Sequence, residues 1–403
     1  MIRSMARATR RRPLPAAALL RYLAAAALAR LADEGSRVAL LLLAIGQPGG
    51  ATYGGLLVGA LMVPHAVAAP LVGAAADRTR RLRALYACDL FVFGAAIFGS
   101  ALFIAVPWLA FTLAAVAGCA APLIQGGLTS LIAEIVADDL ARQRAFALDS
   151  ASYGVAGLAG PAIAAVVAAA FGAVWAVAGI AVAGTVTGLL IGSLPIPNRL
   201  AGALRSVRPP LTRAAGAVWQ RPALAAVTTA TTVSQFGMGM LPPIAALLAL
   251  QAHAPGLTGA SLSVMAAGGL VGSLLYARWP IRRLRPETVV ALALLAVAIP
   301  FVVMTFVTAM WPLLVLFSVS GLLNGPLFTA LLTVRDREAP DEVRTQIFTL
   351  GAGLKTTAGA AGSGVAGVAA GLGTGPLLLL VAGAQIVAAA SGATLLRRRR
   401  KVR

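Results

Sequence analysis

Two cysteines and two histidines are all that 403 residues contain of either type. A disulfide framework needs several pairable thiols, and a zinc site needs Cys and His in clusters at short spacing. Cys88 and Cys119 stand alone inside apolar runs, so neither a disulfide nor a metal site is expected. There is no H-E-x-x-H pair, no G-x-S-x-G elbow and no G-x-x-x-x-G-K-[ST] phosphate loop, so the sequence does not read as an enzyme and offers no route to ATP-driven work. No cofactor is expected. Charge is scarce as well, at 11% of residues, and acids are scarcer than bases, 13 against 33. The formal charge of +20 raises the question of a nucleic-acid partner. With 6% aromatics and no basic stripe interleaved with them, that partner is not expected.

What the chain has in excess is apolar length. Hydrophobic residues make up 59% of it and the mean hydropathy is +0.88, the signature of an all-α polytopic membrane protein. Stretches of about 20 apolar residues, each enough for a helix across a hydrocarbon core, recur between short breaks. The expected spans are twelve: 17–45, 53–76, 84–104, 108–134, 149–171, 173–195, 222–250, 256–279, 288–308, 311–334, 349–369 and 374–395. The placement of the bases is more telling than their number. All but Arg21, Arg30, Arg37 and Lys355 fall at the two ends of the chain or in every second loop, and the loops between, such as "GQPGG" and "HAPGLTG", have none. This positive-inside pattern puts both termini in the cytoplasm and leaves the surplus charge to attract membrane lipid. The segment "MIRSMARATRRRPLP" reads as a cytoplasmic tail. An Ala- and Arg-rich, Lys-poor composition suggests a GC-rich bacterial genome, and with it the inner membrane.

The tetrapeptide "RRLR" at 80–83 returns at 282–285. The same shift of 202 residues pairs Asp139 with Asp341, Arg142 with Arg344, Phe146 with Phe348, Leu148 with Leu350 and Glu134 with Asp336. Several matches in one ungapped register imply two parallel six-helix repeats, about an axis along the membrane normal. The expected units are 1–195, a cytoplasmic linker 196–221 and 222–403.

The stretch "GAAADRTRRLRAL", with Gly73, Asp77, Arg78 and Arg81, resembles the loop 2–3 signature of the major facilitator superfamily, G-x-x-x-D-R-x-G-R-R/K. Arg80 stands where that family usually has Gly, Leu82 where it often has a base, and Trp279 where a second-half acid would repeat Asp77. "GLAGPA" in span 5, with Gly157, Gly160 and Pro161, resembles the Gly-Pro motif of the family's antiporters, and ordinary small-residue packing accounts for it equally. The resemblance implies a transporter of the bacterial small-molecule efflux type. It also implies a cavity lined by spans 1, 4, 7 and 10, and a loop acid that locks the cytoplasmic side. Asp77 is then expected to accept from backbone N–H groups near Phe348 to Gly351, and Arg78 and Arg81 to pair with Glu134 or Asp138.

The sharpest anomaly lies in span 1. Arg30, Asp33, Glu34 and Arg37 share one helical face. At about 2.5–3.5 kcal/mol for each base or Asp at a helix centre, lipid exposure is excluded. The four are expected to face protein or water, to pair among themselves and to form a proton-coupling or substrate site lining the cavity, the alternative being a self-neutralised cluster that fixes helix packing. Weaker candidates are His65, as a titrating or a packing group, and Gln125, Gln235 and Asn324, each bonding a ligand or a neighbouring helix. Lys355 is expected to snorkel to the cytoplasmic edge. The leading expectation is proton-coupled efflux of a small molecule, and the alternative is a facilitator-type importer of a nutrient or metabolite.

Overall fold

The computed structural model describes residues 16–48, 50–136, 138–196, 212–254, 256–281 and 283–398. Among them the long helices number twelve. The first half holds span 1 (Ala16–Ile45), span 2 (Gly50–Arg78), span 3 (Leu82–Leu102), span 4 (Pro107–Ile135), span 5 (Asp139–Phe171) and span 6 (Ala173–Gly192). The second holds span 7 (Pro222–Gln251, broken after Met238), span 8 (Gly256–Arg278), span 9 (Pro286–Met304), span 10 (Met310–Glu338), span 11 (Arg344–Val368) and span 12 (Thr374–Arg398). Ten of them are long and apolar enough to cross a membrane. The other two are span 1, with its four charges from Arg30 to Arg37, and span 11, which holds Lys355 and is rich in Gly and Thr. Span 1 packs on spans 2, 5 and 6, and span 11 on spans 2, 4 and 7.

The contact pattern of one half repeats in the other. Span pairs 2–4, 3–4, 3–6, 1–5 and 1–6 recur as 8–10, 9–10, 9–12, 7–11 and 7–12, which is the geometry of parallel repeats. Each half has its own apolar core, the first around Tyr22, Tyr86, Phe93 and Ile124, the second around Phe301, Phe317, Leu377 and Val381. The halves meet along spans 2–11 and 5–8, two pairs that the same symmetry exchanges. Outside, large apolar side chains are exposed all round, a surface that only lipid covers at low cost. All five tryptophans are exposed and lie at or beside helix ends. Trp108, Trp175 and Trp311 mark one end of the bundle, Trp219 and Trp279 the arginine-rich end. Amphipathic rings at both ends are what two membrane–water interfaces select.

Among the helix boundaries that differ from the expected ones, three matter for the site. Span 5 begins at Asp139 instead of 149, because Asp138 caps it by accepting from the Ala141 amide at 2.7 Å. Span 10 runs on to Glu338, stopping before Pro340, and span 11 begins at Arg344 instead of 349. The linker, described from residue 212, contains a short helix, Thr212–Gln220, whose Ala214 and Val218 pack on Leu224, Val343 and Ile347. Reporter fusions in the linker near Arg208 and in the loop at His253 are expected to give opposite signals, the first cytoplasmic and the second external. The same signal from both would overturn the topology and the half-repeat with it.

Candidate functional site

At the arginine-rich end the halves are fastened together. The Asp77 carboxylate, at the end of span 2, accepts from the backbone amides of Thr345 (2.9 Å) and Gln346 (2.7 Å), the first turn of span 11. An anion over free N–H groups at a helix N-terminus is favoured by hydrogen bonding and dipole alike. The receiving amides lie three residues before the expected Phe348–Gly351, because span 11 starts earlier. Gly73, one turn before Asp77, makes the approach possible, since a methyl group there would stand 2.6 Å from the Gln346 Cα. Arg78 and Arg81 are exposed, and Arg81 makes no ion pair with Glu134 or Asp138 among the described residues, Asp138 being spent on its helix cap. Across the interface Asp336 takes Arg142 of the other half (3.1 Å) and also Arg344. Phe146 and Phe348, mates in the repeat, stack with centroids 6.4 Å apart. On the span 5–8 side the described contacts include the neutral pair Ser150 with Ser273 at 3.0 Å, and the mate of Asp77, Trp279, is exposed. The latch is one-sided.

The span 1 charges divide into two systems. Arg30 does not pair with Asp33 or Glu34. It turns to span 5, where Nη1 and Nη2 donate to the two oxygens of Asp149 at 2.8 and 3.1 Å. Both side chains are buried. Thr129 and Tyr22 each donate to Asp149 at 2.8 Å, Ser152 accepts from Arg30, and the Tyr153 ring lies 3.7 Å from the guanidinium carbon. Pairing along one helix would have left half of each fork unbonded; a bidentate partner on a neighbouring helix fills it. Asp149 escaped the sequence reading because it stood at the expected start of span 5. The true start, ten residues earlier, puts it nearly three turns into the helix. Gly160 brings the two helices together, as a methyl group there would lie 2.9 Å from the Leu31 carbonyl oxygen. Gly157 faces open space and Pro161 lies within the helix, so of this Gly-Pro segment it is Gly160 that packs on span 1, while Gly154, a turn before Gly157, meets Ala266 and Leu270 of span 8.

The second system faces a cavity of about 600 Å³ between the halves. Arg37 donates to Glu34 (2.7 Å) and Asp33 (3.3 Å), and Gln125 donates to Asp33 (2.8 Å). Gln125 lies in a π-helical turn, Leu123–Gly127, that follows Pro122, and its carbonyl accepts from Tyr153. Glu34, Arg37, Gln125 and Gln235 line the cavity. Asp33 is buried behind them, and Asn324, half-buried on span 10, is not among the lining residues. His65 is buried, with Nε2 unpartnered among the described residues. Asp89 in span 3, which the sequence reading passed over, likewise has a buried and unpartnered Oδ2.

Two bases expected outside the cavity line it. Lys355 does not snorkel. It sits three turns into span 11 with its ammonium 4.1 Å from the centre of the Phe328 ring. Arg335 reads in the sequence as a loop charge, but span 10 continues through it, and its guanidinium is buried against Gly351.

Two six-helix halves in parallel repeat, fastened at one end around a charged central cavity, define a polytopic membrane transporter fold. The chain belongs to the major facilitator superfamily, whose family model matches residues 16–363. Solved structures agree in fold. The human organic anion transporter MFSD10 (TETRAN) superimposes with a TM-score of 0.72 at 17% identity, over 93% of this chain and 99% of that one. A bacterial homologue of the iron transporter ferroportin, in an outward-facing state, gives 0.74 at 15% identity, over 94% and 99%. The E. coli fucose:proton symporter FucP gives 0.73 at 11% identity, over 94% and 98%. A search of curated protein sequences finds no match.

Proposed function

We propose that this chain is a proton-coupled secondary transporter that exports a small molecule by alternating access, with both termini on the cytoplasmic side of a bacterial inner membrane. The observation that carries the reading is the ion pair Glu34–Arg37 on the wall of a cavity between two halves that are fastened at one end only by contacts able to part. Intramembrane ionisable groups that face such a cavity serve ion or substrate passage. With the arginine-rich end inside, the latched state faces outward. Glu34 takes a proton on one side and returns to Arg37 on the other, and Asp33 with Gln125 holds Arg37 in place meanwhile. Export follows the Gly-Pro resemblance in span 5. The second reading, import by a facilitator, is favoured by one observation, that Gly160 packs on span 1 and not on the opposite half.

Proteoliposomes with an imposed pH gradient test coupling and direction together, against a panel of lipophilic cations, sugars and organic acids. Glu34→Gln is expected to insert normally, to retain exchange of substrate across the membrane and to lose accumulation against a gradient, and Asp33→Asn to weaken it. Uphill transport at parental rates in both variants would remove the coupling role. Uptake that ignores the pH gradient in the parent would favour the facilitator.

A further inference from the structure

The charges around the cavity do not cancel. Of the charged residues that line it, Arg37, Arg335 and Lys355 are bases and Glu34 is the one acid, and Glu34 is engaged by Arg37. Asp33, just behind, is shared between Arg37 and Gln125. The other lining elements bring only neutral groups to the wall, Met62 from span 2, Thr129 from span 4, Tyr153 from span 5 and Gln235 from span 7. Arg335 and Lys355 are left with no hydrogen bond or ion pair among the described residues. Arg335 is only 3% exposed, and its Nε and Nη2 have no partner.

A buried guanidinium without a counter-ion is strongly unfavourable. Elsewhere in this chain the charge is balanced, since Arg30 has a bidentate carboxylate and three further contacts, with only its Nε unpartnered among the described residues. Among the described residues no acid does for Arg335 what Asp149 does for Arg30. Gly351 makes room for the guanidinium, because a methyl group there would collide with it. Lys355 is one turn further along the same helix and so shares its face. Next to the two bases, Phe328, Leu332 and Phe348 line the cavity with apolar surface, and Tyr153 meets Phe328 edge-on at 4.9 Å.

We propose that Arg335 and Lys355 are the seat of the transported molecule's acid group, and that the substrate is an organic anion. A carboxylate or phosphate would take the Arg335 fork and the Lys355 ammonium, while an apolar body lies against Phe328, Leu332 and Phe348. A planar fork with free Nε and Nη2 matches two oxyanion oxygens side by side, and an ammonium supplies a point charge to either. The span 1 charges then hold the ion-coupling role, and the second half holds the cargo. This assignment of substrate class rests on the transport reading above.

Binding to purified full-length protein separates the two. Benzoate and phenylphosphonate are compared with benzyl alcohol and benzamidine, which keep the ring and change the charge. Equilibrium dialysis is expected to show both anions binding at least tenfold more tightly than the alcohol, and benzamidine binding more weakly still. Arg335→Gln should reduce benzoate binding at least tenfold without lowering the thermal midpoint, because an uncompensated buried charge has been removed. Lys355→Met should do the same to a smaller degree, and Lys355→Arg should restore binding. If neither anion binds more tightly than benzyl alcohol, or if Arg335→Gln lowers the midpoint and leaves benzoate binding unchanged, the proposal is overturned and Arg335 is a packing residue. Anion binding by a protein that moves nothing in proteoliposomes would sink the transport reading and leave the anion site standing.

Discussion

Asp149→Asn is expected to lower the thermal midpoint of the purified protein by on the order of 10 °C, from a loss of about 3–5 kcal/mol. The substitution keeps the shape of the side chain and removes its charge. Arg30 is then left buried and unbalanced among Thr129, Ser152 and Tyr153, which offer it no compensating anion. The cost comes from stranding one partner, so it should largely vanish when both charges go. Arg30→Met combined with Asp149→Leu is expected to recover most of the loss, since a well-packed apolar pair of similar volume is often as stable as a buried ion pair. An Asp149→Asn protein as stable as its parent would mean that Arg30 is solvated by another route. A double variant no better than the single one would show that the pair also sets the register of spans 1 and 5.

Asp77→Asn should leave folding intact and change which end of the cavity is open. The carboxylate accepts two backbone N–H bonds at a helix start; the amide keeps one oxygen and presents an NH₂ group to the other donor. Bonds to charged groups contribute about 1.5–3 kcal/mol each, so the fastened state loses roughly 2 kcal/mol, a shift of about 30-fold in population. A reporter cysteine at Ser363, on the cavity wall, reads the shift after Cys88→Ser and Cys119→Ser have removed the native thiols. Its labelling by an impermeant maleimide should fall from the outer face and rise from the arginine-rich face. Unchanged labelling from both faces would reduce the loop to a topology signal. Because Trp279 replaces the acid in the second half, no matching effect is expected on the span 5–8 side.

How far the sequence could be read depended on the range of the interaction. The twelve helices, the half-repeat and the family resemblance follow from hydropathy, an offset of 202 and a dozen residues of loop, all of which are local or periodic. The span 1 anomaly was equally visible, because four charges in eight apolar-flanked residues stand out on any scale. Their partners were not. Arg30 reaches Asp149 across 119 positions, and nothing on span 1 itself distinguishes that from a bond to Asp33. Arg335 and Lys355 were misassigned for a simpler reason: helix ends were set by where apolar residues stop. Spans 5, 10 and 11 extend past that point, because caps and a proline end a helix and polarity alone does not. The same error shifted the receptor of Asp77 by a turn.

The stack of Phe146 on Phe348 also says something about the order in which the molecule assembles. It closes a loop of 202 residues, as the Asp77 latch closes one of 268 and the Arg142–Asp336 bridge one of 194. Contacts within a half are shorter in sequence, the Arg30–Asp149 pair among the longest at 119. The entropy of closing a longer loop grows only slowly, by about 0.6 kcal/mol for each doubling, so the decisive factor is availability. When the ribosome has delivered the first half, every partner of Arg30 is already present, while Asp77, Arg142 and Phe146 still lack theirs. The network that anchors span 1 can therefore mature during synthesis, and the latch is left for last. Span 8 brings the Ser150–Ser273 contact first, and only span 11 completes the latch.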